Sequence, residues 1–248
     1  MTSATTAFRP FHAWDRSFFL AFAAICWLGV LMGFAPAVGA RLQGDAAYPA
    51  PLILHLHAAS FVGWLFLLTS QTVLIRARRI AAHRTMGLIG VALVPVMVVS
   101  GIVAEHFSQR FHVVRDPENL RFFIIPIFYT VAFAILASAA LLLRRDPATH
   151  KRLILLATTV IVGAAYARWW GEGLAAIAGD GFWGKIVETF TGTNLIVLMA
   201  MAYDQLTRGR VHAVYLVAAP ALVISELLVS YVYHLDGWPA VARRLVGL

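Results

Sequence analysis

Charge is scarce in this 248-residue chain: 13% of residues are Asp, Glu, Lys or Arg, and only 12 are acidic. Soluble domains carry about 25% charged residues, so an ordinary water-soluble globule is excluded. Cysteine is scarcer still, with Cys26 alone in an apolar run. One thiol excludes a disulfide scaffold, a Cys-based zinc finger and an iron–sulfur cluster. The HExxH and ExxH patterns of zinc hydrolases and di-iron sites are missing, as are phosphate loops, catalytic-triad signatures and polynucleotide-binding motifs. Nucleic acid is therefore not an expected partner. The last long apolar run lacks a lysine, which disfavours a retinal Schiff base.

What the chain has is apolar residue, 60% of the total, at a mean hydropathy of +0.78. Crossing about 30 Å of hydrocarbon takes about 20 residues at 1.5 Å each. Seven such runs are present, at about 17–40, 51–75, 86–105, 122–143, 153–174, 183–206 and 212–234. The first ends in Ala-Pro-Ala-Val-Gly-Ala, like a signal-peptide cleavage region, but its run is longer than a signal core and reads as a membrane helix. The expected fold is all-α, a polytopic bundle of seven transmembrane helices forming one integral membrane domain over residues 1–248. The longest connection, about 106–121, is expected on the periplasmic side.

The basic residues orient the bundle, because Lys and Arg concentrate in short cytoplasmic loops. Placing the N-terminus and the turns after spans two, four and six in the cytoplasm puts 12 of the 20 Lys and Arg there. The expectation is N-terminus in, C-terminus out, in a bacterial inner membrane. The formal net charge of +8 is then met by anionic headgroups of the bilayer.

The three cytoplasmic turns resemble one another. They read Arg78-Arg79-Ile80-Ala81-Ala82-His83-Arg84, Arg144-Arg145-Asp146-Pro147-Ala148-Thr149-His150-Lys151-Arg152 and Arg208-Gly209-Arg210-Val211-His212. Each is a basic turn with a histidine opening the next helix, which implies one leading helix followed by three repeated helical hairpins. The three histidines are read as helix-entry residues, with a three-histidine metal site or an Arg–His grip on a phosphate as the sharper alternative.

In these turns, in His57 through Trp64, in Gln71 to Gly87, in the run from Asp146 to Arg168 and in Tyr203-Asp204, the chain resembles an uncharacterised family of bacterial multi-pass membrane proteins, a domain of unknown function. The resemblance covers spans two to seven and implies a multi-pass membrane location with no activity attached. A more distant likeness is to b-type membrane cytochromes, which implies histidines on facing helices ligating haem b.

Ionisable groups inside a membrane are expensive and carry a functional hypothesis by default. Here they gather toward the outer third: His55 and His57 on span two, Glu105 and His106 at the end of span three, and Arg168 and Glu172 on span five. Span six adds Lys185, Glu188 and Asn194, and span seven adds Glu226 and His234. Helical spacing sets His57, Ser60, Trp64 and Gln71 on one face, pairs Arg168 with Glu172 and aligns Glu226, Ser230 and Tyr233. Such faces at matched depth imply a polar cavity opening to the periplasm.

Two functions follow. The first is a redox protein, a membrane oxidoreductase in its enzymatic form, with haem b or a transition metal (Cu, Fe or Zn) in the cavity. His57 and His106 are its leading ligands, Glu105 is a third metal ligand, and Gln71 and Trp64 line the cofactor. Glu226, Glu172 and Glu188 handle protons, and Arg168 holds an anionic group. The second is non-enzymatic: a transporter, or a subunit packed against partner membrane subunits in a respiratory or photosynthetic assembly. The plain packing alternative makes Arg168 with Glu172 or Glu226, and Lys185 with Glu188, neutral pairs that tie helices together. Pro95, Pro126 and Pro220 are expected to kink spans three, four and seven, exposing carbonyls that a neighbour or water must satisfy. Trp169, Trp170, Trp183 and Trp238 read as an interfacial aromatic belt.

Overall fold

The computed structural model describes residues 8–46 and 48–248. Among them are eight α-helices and one 3-10 helix, and no strand. The elements are α1 (Asp15–Gln43), α2 (Leu52–Arg76), α3 (Ile80–His112), the 3-10 helix Pro117–Phe123, α4 (Ile124–Leu142), α5 (Pro147–Ala178), α6 (Phe182–Arg208), α7 (Ala213–His234) and α8 (Trp238–Val246). Seven are long and apolar enough to cross a bilayer, with the 3-10 helix and α4 forming one continuous span. Helices satisfy every backbone group internally, as hydrocarbon requires. The chain is an integral membrane protein.

Helix ends fall beyond the apolar runs wherever polar residues cap or extend them. The α3 helix runs to His112, and the 3-10 helix opens at Asp116, which accepts from the Glu118 N–H at 3.0 Å; the connection between spans three and four is therefore mostly helical. At the start of α5, Asp146 accepts from the Ala148 N–H at 2.9 Å and Pro147 follows, an N-cap and first-turn pair that starts the helix six residues before the apolar run. Pro126 lies in the first turn of α4, where its missing N–H costs nothing. Pro95 and Pro220 are internal to α3 and α7, and Pro36 is internal to α1. The residues after α7 also fold. As the short α8 they turn Ala242 and Val246 onto Leu120 and Phe123 of the 3-10 helix and leave Arg243 and Arg244 exposed.

The α5 helix is the axis of the bundle. Its apolar window is 67% buried against 39% or less in every other span, and it packs against α1, α4, α6 and α7. Small residues make this possible: Ala157, Thr158, Gly163 and Ala165 present little side chain, and lipid-embedded helices associate through such close approach. From α1, Gly29 and Gly33 face it one turn apart. A Cβ on Gly33 would stand 2.2 Å from the Ala165 carbonyl oxygen, a backbone atom that cannot swing away. Side-chain hydrogen bonds cross between helices, from Trp64 Nε1 to Thr158 Oγ1 at 3.0 Å, Trp27 Nε1 to Thr69 Oγ1 at 3.0 Å and Tyr166 to the Ile25 carbonyl at 2.8 Å. Large apolar side chains such as Leu31, Val99, Ile135, Leu198 and Leu228 cover the outside.

Gly33→Ala is expected to destabilise the detergent-solubilised protein by about 1–3 kcal/mol, the usual range for overpacking. Gly39→Ala, with nothing within 4 Å of the added carbon, is expected to leave stability unchanged. Unfolding titrations of the two variants in mixed detergent test this.

Candidate functional site

Polar side chains gather in two places, one at the end bearing the basic turns and one in the middle of the bundle. At the basic end Arg152 and Asp204 are each 1% exposed. The guanidinium grips the carboxylate through Nε, at 2.7 Å to Oδ2, and through Nη2 to Oδ1. Arg208 lies 3.6 Å from Asp204 and donates at 2.7 Å to Asp15, which also receives Lys151 at 2.7 Å and the Tyr203 hydroxyl at 2.7 Å. Three cations and two carboxylates from α1, α5 and α6 thus form one network. The segment before α1 covers it: Phe8 lies under the Arg152 guanidinium, and the Arg9 and Pro10 carbonyls accept from Arg208 and Lys151.

Two of the three helix-entry histidines, His150 and His212, have a local hydrogen-bonding task, while the Nδ1 of His83 is buried without a partner. Burial, and then the Arg152 charge, lower the pKa of His212, and the neutral ring accepts the Val214 N–H at 3.2 Å as a helix cap. His150 bonds through Nδ1 to the Ala140 carbonyl at 2.8 Å, with His83 as an electrostatic neighbour. The Thr149 hydroxyl, donating at 2.6 Å, holds the Asp146 carboxyl below the ordinary carboxylate range.

The second cluster lies at mid-span, where α4, α5, α6 and α7 meet. Glu226 is 2% exposed in the middle third of α7; its Oε2 accepts from Asn194 Nδ2 at 2.8 Å, and its Oε1 is buried with no hydrogen-bond partner among the described residues. One residue before Asn194, Thr193 Oγ1 is also buried and makes no hydrogen bond of regular geometry. The Tyr129 hydroxyl donates to the Thr189 carbonyl at 3.0 Å and is an electrostatic neighbour of Glu226. Gly163 on α5 lets Thr193 and Tyr129 pack directly against its backbone: a Cβ there would fall 2.3 Å from Thr193 Oγ1 and 3.1 Å from the Tyr129 hydroxyl.

The remaining candidates lie outside this centre, and three of them are electrostatic neighbours, with the Arg168 charge reaching both His57 and Glu105. On α2, Ser60 and Trp64 are buried while His57 and Gln71 are half-buried; His57 packs on Phe61, and its Nδ1 has no partner. Both amide atoms of Gln71 are likewise unpartnered, at the far end of the helix from His57. Trp64 spends its N–H on Thr158. Glu105 is held by Gln109 at 2.7 Å, which in turn accepts from Asn119 at 3.0 Å. Both ring nitrogens of His106 face backbone carbonyls, Ile102 at 2.8 Å and Leu245 at 3.1 Å.

Arg168 and Glu172 are exposed, and Arg168 makes no ion pair among the described residues; its guanidinium lies over Phe34. Lys185 and Glu188 do pair, at 2.6 Å. Among the described residues no three His, Cys, Asp or Glu side chains lie close enough together to hold a metal ion. A cleft of about 560 Å³ opens between the 3-10 helix and α8, lined by Glu118, Arg121, Asp236, Arg243 and Arg244, outside the expected set.

No protein-family model, curated protein or solved structure matches this chain.

Asp15, Tyr129, Arg152, Gly163, Thr193, Tyr203 and Asp204 are among the residues that sequence reasoning did not assign to a site. Asp15 and Asp204 carried a signal, as two of 12 acidic residues in a chain of apolar helices. Removing one partner of a buried ion pair costs about 3–5 kcal/mol. Asp204→Asn is expected to reach that range because it strands Arg152, whereas Arg152→Met should cost less, since Asp204 keeps Arg208. Equal losses in a mixed-detergent unfolding titration would contradict this geometry.

Proposed function

We propose that this chain is a multi-pass transporter of the bacterial inner membrane, N-terminus in the cytoplasm and C-terminus in the periplasm, in which Glu226 binds and releases a proton. One observation carries the reading: a mid-span carboxyl, almost wholly buried, with one oxygen bonded to Asn194 and the other unpartnered. An acidic side chain costs at least about 2.5–3.5 kcal/mol at the centre of a membrane helix. A purely structural carboxylate offsets that cost with a full set of donors, as Asp204 does with Arg152, Arg208 and the His212 N–H. Glu226 has one donor. As an anion it lacks a second donor, and as an acid its O–H lacks an acceptor, so neither state is locked. The basic turns support the orientation, with 12 of 20 Lys and Arg on the N-terminal side.

A haem b or transition-metal redox centre is the second reading, favoured by the buried, unpartnered Nδ1 of His57. The residues present do not fit the expected ligand set. His106 has both ring nitrogens against carbonyls, and Glu105 is committed to Gln109.

In proteoliposomes with an imposed pH gradient and a trapped pH-sensitive dye, the protein is expected to dissipate the gradient faster than empty vesicles, and Glu226→Gln to return the rate to that background. Equal rates in protein and empty vesicles would overturn the proton reading. The reduced-minus-oxidised absorption spectrum of the same preparation is flat under the first reading and shows haem bands under the second.

A further inference from the structure

At the opposite end of α7 from the basic turns, the cleft between the 3-10 helix and α8 carries charges that the mid-span chemistry does not use. We infer that this cleft binds the headgroup phosphate of an anionic phospholipid, held by Arg243, Arg244 and Nη2 of Arg121, with the acyl chains against the apolar flank of α8. The site is independent of Glu226 and of which side of the membrane α8 faces.

Three features point to such a lipid. The first is a cleft with fixed walls. Ala242 and Val246 of α8 pack on Leu120 and Phe123, Trp238 Nε1 donates to the Arg121 carbonyl at 3.2 Å, and the Leu245 carbonyl faces His106 Nε2 at 3.1 Å. Its volume of about 560 Å³ falls within the roughly 300–1,000 Å³ of small-molecule sites. The second is unpaired positive charge. Arg121 donates through Nε to Glu118 at 2.6 Å and through Nη1 to the Tyr233 and Leu235 carbonyls at 3.1 and 3.2 Å, which holds the guanidinium in place. Its Nη2, 3.8 Å from the exposed Asp236, makes no hydrogen bond among the described residues. Arg243 and Arg244 line the same cleft, exposed, and no carboxylate among the described residues lies within 4 Å of either. Guanidinium forks match phosphate oxygens in geometry and charge.

The third feature is the pattern of α8. At about 100° per residue, Ala242 and Val246 fall on the buried side, Arg243 and Arg244 on the cleft side, and Val241 and Leu245 on the side that remains. Those last two are 48% and 57% exposed. A helix with a basic face and an exposed apolar flank lies in the headgroup layer, and Trp238 at its start is a residue that favours that depth. A free phosphate would engage the arginines and leave the apolar flank bare. A phospholipid engages both.

The test is native mass spectrometry of the purified full chain in detergent, titrated with phosphatidylglycerol or with phosphatidylcholine. One phosphatidylglycerol per chain is expected to depend on the two arginines of α8. Arg243→Gln combined with Arg244→Gln should weaken its binding on the order of 20-fold, at about fivefold for each arginine. Bound phosphatidylcholine and the melting temperature should not change, since neither guanidinium makes a hydrogen bond or ion pair inside the described protein. Equal phosphatidylglycerol counts in the two proteins across the titration, or a loss that phosphatidylcholine shares, overturns the inference. Displacement of the lipid by millimolar inorganic phosphate also overturns it, because the cleft then takes a bare anion. None of these outcomes bears on Glu226, which the pH-gradient assay decides separately.

Discussion

Hydrocarbon offers no hydrogen bonds, so each polar side chain on the seven spans must find its partner inside the protein or remain unmatched. That constraint sorts the buried polar residues into two groups. Trp64 with Thr158, Trp27 with Thr69, Tyr166 with the Ile25 carbonyl and Arg152 with Asp204 are matched across helices, and they fix which helices are neighbours. Glu226 Oε1 and Thr193 Oγ1 are without a regular partner, as are His57 Nδ1, His83 Nδ1, Trp170 Nε1 and the Gln71 amide. Of these, Glu226 is the carboxyl, the group for which an incomplete set of donors in hydrocarbon is most expensive.

The two clusters differ in kind. The network at the basic end joins α1, α5 and α6, receives the N–H that leads into α7, and is covered by the segment preceding α1. Its three cations share two carboxylates in a nearly closed set of bonds, which suits a clamp holding helix ends together. The mid-span cluster has one acid and few donors. Small residues on the α1–α5 and α5–α6 contacts let these helices approach closely, with Gly33 against the Ala165 carbonyl and Gly163 against Thr193.

Hydropathy alone located all seven spans, because a run of about 20 apolar residues has few other uses. It misplaced the ends of α3 and α5, where polar residues continue a helix out of the apolar zone, and it missed α8, too short and too charged for a span search. In the site, Glu226 and Asn194 stood out as polar residues in apolar sequence, and their pairing across 32 residues of chain emerged only from the fold. Tyr129, Thr193 and Gly163 were hidden because uncharged residues in an apolar run resemble packing. Arg152 was read as a topology charge; its partner lies 52 residues away, beyond the reach of any local pattern. His106 looked like a ligand because the carbonyls that occupy it leave no trace in side-chain identity.

The central claim is that the Glu226 carboxyl changes protonation in the middle of the folded bundle. Infrared difference spectroscopy of the lipid-reconstituted protein across a pH step tests it most directly. The account predicts a protonated-carboxyl stretch that disappears as pH rises and is absent from Glu226→Gln. An identical difference spectrum in the two proteins would contradict it.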